Sequence, residues 1–232
     1  MRIKPILKEL TKANIFLSQK KLIIQSFGNA SCRFQDLCLI KPSGIDLNNS
    51  SSGDIVSVNI ASGSYSGNLK PSSDTPTHVE LYREFEDIGA IAHTHSTYAT
   101  AWAQAGKPIP CLGTTHADYW NGEVPVTRDL TDEEISGDYE KETGKVIIEK
   151  IKELKVDPLD CPGILVANHG PFTWGATMED AVKHAELLEY IAKLAWLSLS
   201  INPIAGQISS ALLNKHFSRK HGTDAYYGQD SD

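Results

Sequence analysis

Helical and extended hydrophobic patterns follow one another along the chain. Between residues 2 and 18, Ile3, Ile6, Leu7 and Leu10 recur at three- and four-residue spacing, which predicts an amphipathic opening helix. Short β-rich runs bounded by Gly, Ser, Asn and Pro predict strands at 37–40, 54–60, 89–95, 163–167 and 171–174. Further helical patterns cover 75–86, 97–105, 138–154, 177–200 and 206–219, and residues 106–132 read as loops.

These interspersed elements predict an α/β fold in which helices cover a sheet. There is no repeat, low-complexity tract or long linker, so we expect one domain over residues 1–232. The pattern leaves strand direction open, because several strands follow one another without an intervening helix.

Composition narrows the class of protein. With 41% hydrophobic and 22% charged residues, the 232-residue chain has an ordinary globular mix, which excludes disorder as its main state. Its 22 basic and 29 acidic residues give a net charge of -7, whereas nucleic-acid binders usually carry a basic surplus. Four widely spaced cysteines, with no Cys-x-x-Cys pair, predict buried, reduced thiols.

No segment has the pattern of a targeting or membrane-spanning sequence. Lysines and an acid interrupt the apolar residues of the N-terminus, so it lacks the apolar core of a signal peptide. The most apolar stretch, residues 187–201, contains Glu189 and Lys193 and is shorter than the roughly 20 residues that a span needs. We therefore expect a soluble, cytoplasmic protein with neither a membrane nor a nucleic acid as partner.

A histidine pair ends one of the predicted strands. His93 and His95 are two residues apart, so in an extended chain both imidazoles point to the same face. His169 ends a second apolar strand, after which Gly170 and Pro171 are expected to turn the chain. Three neutral imidazoles with an open position are typical of a catalytic zinc site. The alternative is three unrelated polar histidines at strand ends.

A second motif, Lys70-Pro-Ser-Ser-Asp-Thr-Pro-Thr-His78, precedes a predicted helix. Ser72 and Ser73 offer hydroxyls, and the helix start offers free N–H groups, an arrangement suited to a phosphate. Asp74 is a candidate fourth metal ligand or base, although aspartate is also a common helix cap.

Two glycine-containing segments supply further candidate anion donors. Gly28 and Asn29 are expected in a tight turn, and Ser43 and Gly44 follow the strand at 37–40. Each alone is typical of an ordinary turn.

The remaining candidates carry weaker signals. Asp118 lies in the stretch Gly113-Thr-Thr-His-Ala-Asp-Tyr119 and is either a proton carrier or an ordinary loop aspartate. The basic residues at 215–221 and the tyrosines at 226 and 227 are interpreted as a solvated helix end and an aromatic anchor.

Together these motifs resemble a known family. Their order along residues 28–229, including Trp102-Ala-Gln-Ala-Gly106, Asn168-His-Gly-Pro-Phe172 and Ala225-Tyr-Tyr-Gly-Gln229, is similar to that of the L-ribulose-5-phosphate 4-epimerases of the class II, zinc-dependent aldolase family. The resemblance implies a three-layer α/β/α fold with a mainly antiparallel sheet. It also implies a homotetramer with active sites at subunit interfaces.

The resemblance assigns roles to the candidate residues. It implies zinc held by His93, His95 and His169, with Asp74 at the fourth metal-associated position; manganese also suits such ligands. It implies acid/base roles for Asp118 and Tyr227. It places on the substrate, mainly its phosphate, the residues Gly28, Asn29, Ser43, Gly44, Ser72 and Ser73.

The reaction that the resemblance implies is epimerisation at C4 of a pentulose 5-phosphate. Inverting that carbon needs a hydride acceptor or a broken C3–C4 bond, and no Gly-x-Gly-x-x-Gly follows a strand here. Related aldolases carry glutamate where Asp74 stands, and the shorter aspartate favours epimerisation over simple cleavage. The alternatives are a class II sugar-phosphate aldolase, a non-catalytic metal-dependent sugar-phosphate binder and a zinc hydrolase.

Overall fold

A computed structural model describes residues 3–45, 51–221 and 225–226. Its strands are β1 (Gly28–Phe34), β2 (Leu37–Ile40), β3 (Val56–Asn59), β4 (Ala90–Thr94), β5 (Gly163–Val166) and β6 (Gly170–Gly175). Its helices are α1 (Ile3–Gln19), α2 (Thr75–Glu84), α3 (Thr97–Gln104), α4 (Thr114–Ala117), α5 (Asp132–Ser136), α6 (Tyr139–Leu154), α7 (Met178–Ile201) and α8 (Ser210–His221).

The strands form one six-stranded sheet in the order β3-β2-β1-β4-β6-β5, and every neighbouring pair is antiparallel. Helices flank this sheet, which confirms the fold class. β4 lies near the centre, and all five of its residues are buried. This position explains the nearly continuous apolar run before His93, since a central strand between two helical layers buries both of its faces.

Alternate residues of β4 face two different cores. Ala90 and Ala92 pack with Leu10 and Leu17 of α1 and with the first half of α7. Ile91 joins the opposite core, which contains Leu81 of α2 and other residues of α2, α6 and α7. Residue 93 lies on the same face as residue 91, so the strand directs the His93 ring toward the α2 side.

Gly28 and Asn29 lie in strand β1 and not in the tight turn that the sequence predicted. The turn lies earlier, where the Phe27 N–H donates to the Ile24 carbonyl at 3.0 Å, and residues 28–34 form a strand between β2 and β4. The sequence Gly-Asn-Ala-Ser-Cys-Arg-Phe has little strand propensity. It is stabilised by partners from distant residues, such as the buried pair of Ser31 Oγ and His78 Nδ1 at 2.7 Å.

Two further expectations are wrong in detail. Gly170 and Pro171 do not turn the chain but begin β6, and the turn is formed by residues 167–169 with Asn168 at φ 60°. The stretch 106–132 is not all loop, since it contains α4 and the first residue of α5. Helix α5 has a capping box between Thr131 and Glu134, a signal that was present in the sequence.

The cysteines are all free and buried, as their spacing predicted. Among the described residues, no helix combines the length and the apolar character that crossing a membrane requires.

His116 in α4 gives the fold an expected dependence on pH. Burial lowers the pKa of this imidazole to about 4, so below pH 6.5 the unfolded chain binds a proton that the folded chain excludes. The free energy of unfolding should therefore fall with decreasing pH between about 6.5 and 4, by up to about 1.4 kcal/mol per pH unit for this group. His116→Gln should reduce that slope, measured by urea unfolding across this range. An unchanged slope would show that His116 does not contribute.

Candidate metal centre

The structure brings His93, His95 and His169 together at one end of the sheet. One ligand atom from each lies within 4.8 Å of the other two, and the Nε2 atoms of His93 and His95 are 3.1 Å apart. Their ring centroids are separated by 4.7 to 5.2 Å. Two adjacent antiparallel strands create this arrangement: β4 leads into His95, and His169 immediately precedes β6.

Backbone and aromatic contacts fix the orientation of the fully buried His93 ring. Its Nδ1 lies 3.0 Å from the Pro171 carbonyl, which can only accept, so Nδ1 donates and Nε2 keeps its lone pair. The Phe172 ring stacks on it with a centroid distance of 4.1 Å and an interplanar angle of 15°. A backbone carbonyl that holds the far nitrogen of an imidazole is the usual support for a metal-binding histidine.

The three imidazoles are prepared to act as neutral ligands. Burial lowers the pKa of each of them below the ordinary histidine value, most strongly for His93. A divalent cation requires deprotonated imidazole nitrogens, and tetrahedral zinc–nitrogen bonds place neighbouring ligand atoms about 3.3 Å apart. The donor set and its protonation therefore fit zinc or a similar divalent ion, and the 3.1 Å between the Nε2 atoms of His93 and His95 is close to that spacing.

Asp74 lies beside this cluster at the N-cap position of α2. Its side chain makes no capping hydrogen bond, so the capping alternative does not account for it. Instead, its Oδ2 accepts a hydrogen bond from Asn29 Nδ2 at 2.6 Å. The carboxylate is near enough that its negative charge raises the pKa values of His95 and His169, against the larger effect of burial.

The candidate anion-binding segments form one surface next to Asp74. The Ser43 N–H donates to the Lys70 carbonyl and the Ser72 N–H to the Lys41 carbonyl, both at 3.0 Å, which holds the two loops side by side. Ser43, Gly44 and Ser73 are exposed, whereas Ser72 is buried.

β1 joins this surface to the histidines. Gly28 has φ +124° and pairs with Thr94, and an added Cβ would lie 2.7 Å from the His93 carbonyl, so only glycine fits. Asn29 is fully buried, and its Nδ2 also lies 3.1 Å from Ser72 Oγ. Its Oδ1 has no partner among the described residues. The amide thus links the serine loop to Asp74.

The sequence analysis assigned no role to two polar side chains at this site, although one of them, Lys41, opens the segment that contains Ser43 and Gly44. Lys41 is only 2% exposed, and burial lowers the pKa of its ammonium group against the opposing charge of Asp74. A lysine directly after the apolar run 37–40 was an available signal. Tyr139 begins α6, and its hydroxyl lies 3.5 Å from His169 Nδ1. No local pattern distinguished it, because α6 is distant from His169 in sequence.

Asp118 lies at the other end of the sheet. The neighbouring Trp120 donates its indole N–H to the Gly163 carbonyl at the start of β5, whereas His169 follows the end of that strand. Arg219 donates two hydrogen bonds to the Asp118 carboxylate, one from Nε at 3.0 Å and one from a terminal nitrogen at 2.7 Å. Burial raises the pKa of Asp118, but the hydrogen bonds from Arg219 and His216 outweigh it and lower the pKa below its ordinary value.

Helix α8 corrects the view of residues 215–221 as a solvated helix end. His216 Nδ1 lies 3.0 Å from Asp118 Oδ1, and the Lys220 ammonium group donates to the Tyr119 hydroxyl at 3.0 Å. The basic stretch therefore docks the helix on residues 118 and 119. Tyr226 is 63% exposed, and Tyr227 lies outside the described residues.

The fold is an antiparallel sheet flanked by helices. It carries a candidate metal centre of three convergent imidazoles beside a pair of loops that contain serine and glycine. The chain belongs to the family described as "Class II Aldolase and Adducin N-terminal domain", which matches residues 8–196.

Solved structures of the same fold agree with this family. An L-fuculose 1-phosphate aldolase is 26% identical, with a TM-score of 0.76 over 91% of this chain and 94% of its own. YgbL from Escherichia coli is 25% identical, with a TM-score of 0.73 over 91% of this chain and 97% of its own. A sugar-phosphate aldolase from Thermotoga maritima shares the fold at 18% identity, with a TM-score of 0.67 over 90% and 99% of the two chains.

Proposed function

We propose that this protein interconverts L-ribulose 5-phosphate and D-xylulose 5-phosphate by cleaving and re-forming the C3–C4 bond. The observation that carries the proposal is the convergence of His93, His95 and His169 beside a surface suited to phosphate. The family match and the L-fuculose 1-phosphate aldolase likeness support sugar-phosphate chemistry of this kind. The ordered epimerase motifs of the sequence support C4 epimerisation within that chemistry.

The three histidines would hold the divalent ion, for which zinc is our first choice, with Asp74 as the fourth metal-associated group. When bound, the ion supplies Lewis-acid stabilisation of the negative charge that develops on the substrate oxygens at C2 and C3, a contribution of several kcal/mol. The hydrogen bond from Asn29 Nδ2 orients the Asp74 carboxylate. Lys41 is buried near that carboxylate, and its ammonium group donates to the Ser26 carbonyl at 3.3 Å.

The loop pair would hold the phosphate throughout the reaction. The proposed substrate-binding residues are Gly28, Asn29, Ser43, Gly44, Ser72 and Ser73. Of these, the exposed Ser43, Gly44 and Ser73 would contact the phosphate directly. A held phosphate lets the two-carbon fragment rotate and present its other face without diffusing away. Retaining it saves the translational entropy that recapture from solution would cost.

Proton transfer at the C4 oxygen is assigned to Asp118 and Tyr227, which the resemblance marks as the acid/base pair. The two hydrogen bonds from Arg219 keep Asp118 in the carboxylate form, which can accept a proton, and the phenolic hydroxyl of a tyrosine can donate one. Asp118 lies at the far end of its own sheet, so we propose that it serves the metal centre of a neighbouring subunit. A homotetramer with sites at its subunit interfaces would meet this requirement.

The second candidate is a class II aldolase that releases its fragments. The likeness to an L-fuculose 1-phosphate aldolase favours it. Against it stands Asp74, since the related aldolases carry the longer glutamate at this position and use it for deprotonation.

Product analysis separates the two reactions. Zinc-loaded protein supplied with L-ribulose 5-phosphate labelled with ¹³C at C4 should give D-xylulose 5-phosphate, with the label at C4 and no accumulation of glycolaldehyde phosphate. The same protein treated with a chelator is the control and should be inactive. Stoichiometric release of glycolaldehyde phosphate without the C4 epimer would instead establish an aldolase.

A further inference from the structure

A buried chain of three polar side chains lies beside the metal centre. Ser31 Oγ lies 2.7 Å from His78 Nδ1 and 2.8 Å from the Tyr82 hydroxyl, and each of the three residues is at most 1% exposed. The function proposed above uses none of them. A buried polar hydrogen that is not donated costs free energy, so the protons of this chain can be placed by counting the partners of each group.

Tyr82 sets the direction of the hydrogen bonds. Burial raises the pKa of its hydroxyl well above the ordinary value, so the group keeps its proton. The hydrogen-bond partner that the described residues offer it is Ser31 Oγ, so Tyr82 donates and Ser31 accepts. Ser31 then has its own hydrogen to donate. His78 Nδ1 is the stronger acceptor beside it, since the Cys38 thiol, which also interacts with Ser31, accepts only weakly.

This direction places the proton of His78 on the far side of its ring. Burial lowers the pKa of the imidazole to about 3, so the ring is neutral and carries one hydrogen. Because Nδ1 accepts from Ser31, that hydrogen is on Nε2. Nε2 is buried and has no hydrogen-bond partner among the described residues. A buried N–H group without an acceptor is costly, so an acceptor is required on this side of the ring.

The amide oxygen of Asn29 is the complementary group. Asn29 Nδ2 donates to Asp74 Oδ2 at 2.6 Å, which fixes the amide nitrogen against the carboxylate and turns Oδ1 away from it. This Oδ1 is buried, and the described part of the chain offers it no donor. The same region of the core therefore contains one buried donor without an acceptor and one buried acceptor without a donor.

The register of the sheet brings these two groups toward each other. Asn29 is paired with His93, and His93 with Phe172, so the three residues form one row across the sheet. Ser31 is two residues further along β1 and lies on the same face as Asn29. The His78 ring contacts Ser31, and its centroid lies 6.0 Å from that of Phe172. The ring therefore extends from Ser31 toward the row that contains Asn29.

Helix α2 connects the same two groups from the opposite side. Asp74 and His78 are four residues apart at the start of this helix, so their side chains lie on one face of it. Asp74 binds Asn29 and His78 binds Ser31, so two same-face positions of β1 meet two same-face positions of α2. The charge of Asp74 raises the pKa of His78 against the larger effect of burial, as expected for neighbouring groups.

We propose that His78 is a positioning residue for Asn29 and Asp74, and that its Nε2–H group donates to Asn29 Oδ1 through one bound water molecule. The water accepts from Nε2–H and donates to the amide oxygen, which satisfies both buried groups. An amide whose oxygen is held in this way keeps its nitrogen directed at Asp74, and so keeps the carboxylate oriented for the metal ion. The proposal rests on the proposed function only in assigning Asp74 to that ion.

The tautomer of His78 tests the proposal without metal or substrate. Long-range ¹H–¹⁵N NMR of the metal-free, full-length protein, labelled with ¹⁵N-histidine, distinguishes protonated from unprotonated ring nitrogens. The signals that disappear in His78→Gln identify this residue. We expect an unprotonated Nδ1 and a protonated Nε2 at neutral pH. A protonated Nδ1 would overturn the proposal, because Nε2 would then have no hydrogen to donate toward Asn29.

Two substitutions that preserve opposite ends of the imidazole test the positioning role. A glutamine amide places its nitrogen near the position of Nε2, whereas the shorter asparagine amide reaches only the position of Nδ1. His78→Asn should therefore weaken zinc binding by about tenfold, the lower end of the effect of losing an outer partner of a metal ligand. His78→Gln should bind zinc nearly as the wild type does. Competition with a chromophoric chelator measures both affinities.

His184→Asn is the matched control. His184 lies on α7, and its Nδ1 is 2.8 Å from the Trp174 carbonyl near the end of β6, so this substitution should leave zinc affinity unchanged. Equal losses of affinity in His78→Asn and His78→Gln would overturn the proposal and leave His78 with a packing role. A wild-type protein that bound no zinc would refute the metal centre, and the tautomer would then decide the His78 proposal by itself.

Discussion

Replacing His93 with alanine is expected to abolish both metal binding and turnover. His93 is fully buried, is oriented by the Pro171 carbonyl and lies between His95 and His169, so no other side chain of the cluster can take its place. Loss of an outer partner of a metal ligand lowers affinity about 10–100-fold, and loss of the ligand itself should cost more than that. Competition with a chromophoric chelator measures the affinity, and residual epimerisation measures the activity.

His221→Ala is the control for this substitution. His221 is exposed and lies on α8, outside the histidine cluster, so its removal should leave metal affinity unchanged. A His93→Ala protein that still bound one equivalent of zinc at wild-type affinity would contradict the assignment. Circular dichroism of both variants would establish that each remains folded.

Replacing Tyr227 with phenylalanine is expected to lower kcat by about 100- to 10,000-fold with little change in KM. The substitution removes only the hydroxyl, and a positioned proton donor typically contributes a factor of that size. Steady-state kinetics in both directions, with either pentulose phosphate as substrate, gives the required separation of kcat from KM. A larger loss in one direction would show which epimer Tyr227 serves.

The adjacent tyrosine provides a matched control. Tyr226 is 63% exposed, and its ring lies 5.1 Å from the Lys215 ammonium group, so Tyr226→Phe should leave kcat nearly unchanged. A non-catalytic sugar-phosphate binder would show no turnover in any of these proteins and would keep its affinity in Tyr227→Phe. That result would refute the epimerase proposal.

The parts of the fold that were predictable are those in which local hydrophobic pattern and tertiary burial agree. β4 is buried on both faces and has the matching apolar run, so its position followed from that run, and alternation placed His93 and His95, the latter one residue beyond the strand, on the same face. β1 escaped prediction because Asn29 and Ser31 are polar and yet fully buried. Their partners, Asp74 and His78, are more than 40 residues away, and no local window contains that information.

The same distinction applies to the candidate site. The histidine cluster combines residues in or just after β4 with one that precedes β6, so strand placement indicated a shared site and left three unrelated histidines as the alternative, and the family resemblance favoured the metal site. Asp118 and Arg219 are 101 residues apart, and only the docking of α8 brings them together. A basic helix end that binds a buried carboxylate has the same sequence pattern as one that faces water. The role of residues 215–221 therefore required the structure.

X-ray absorption at the zinc edge of the zinc-loaded protein would determine whether His93, His95 and His169 together hold the ion. We expect one zinc per chain, with three imidazole nitrogens at about 2.0–2.1 Å and a remaining position occupied by oxygen. His95→Ala should reduce the imidazole count by one or eliminate stoichiometric binding. A zinc environment containing sulfur, or an imidazole count that His95→Ala leaves unchanged, would contradict it.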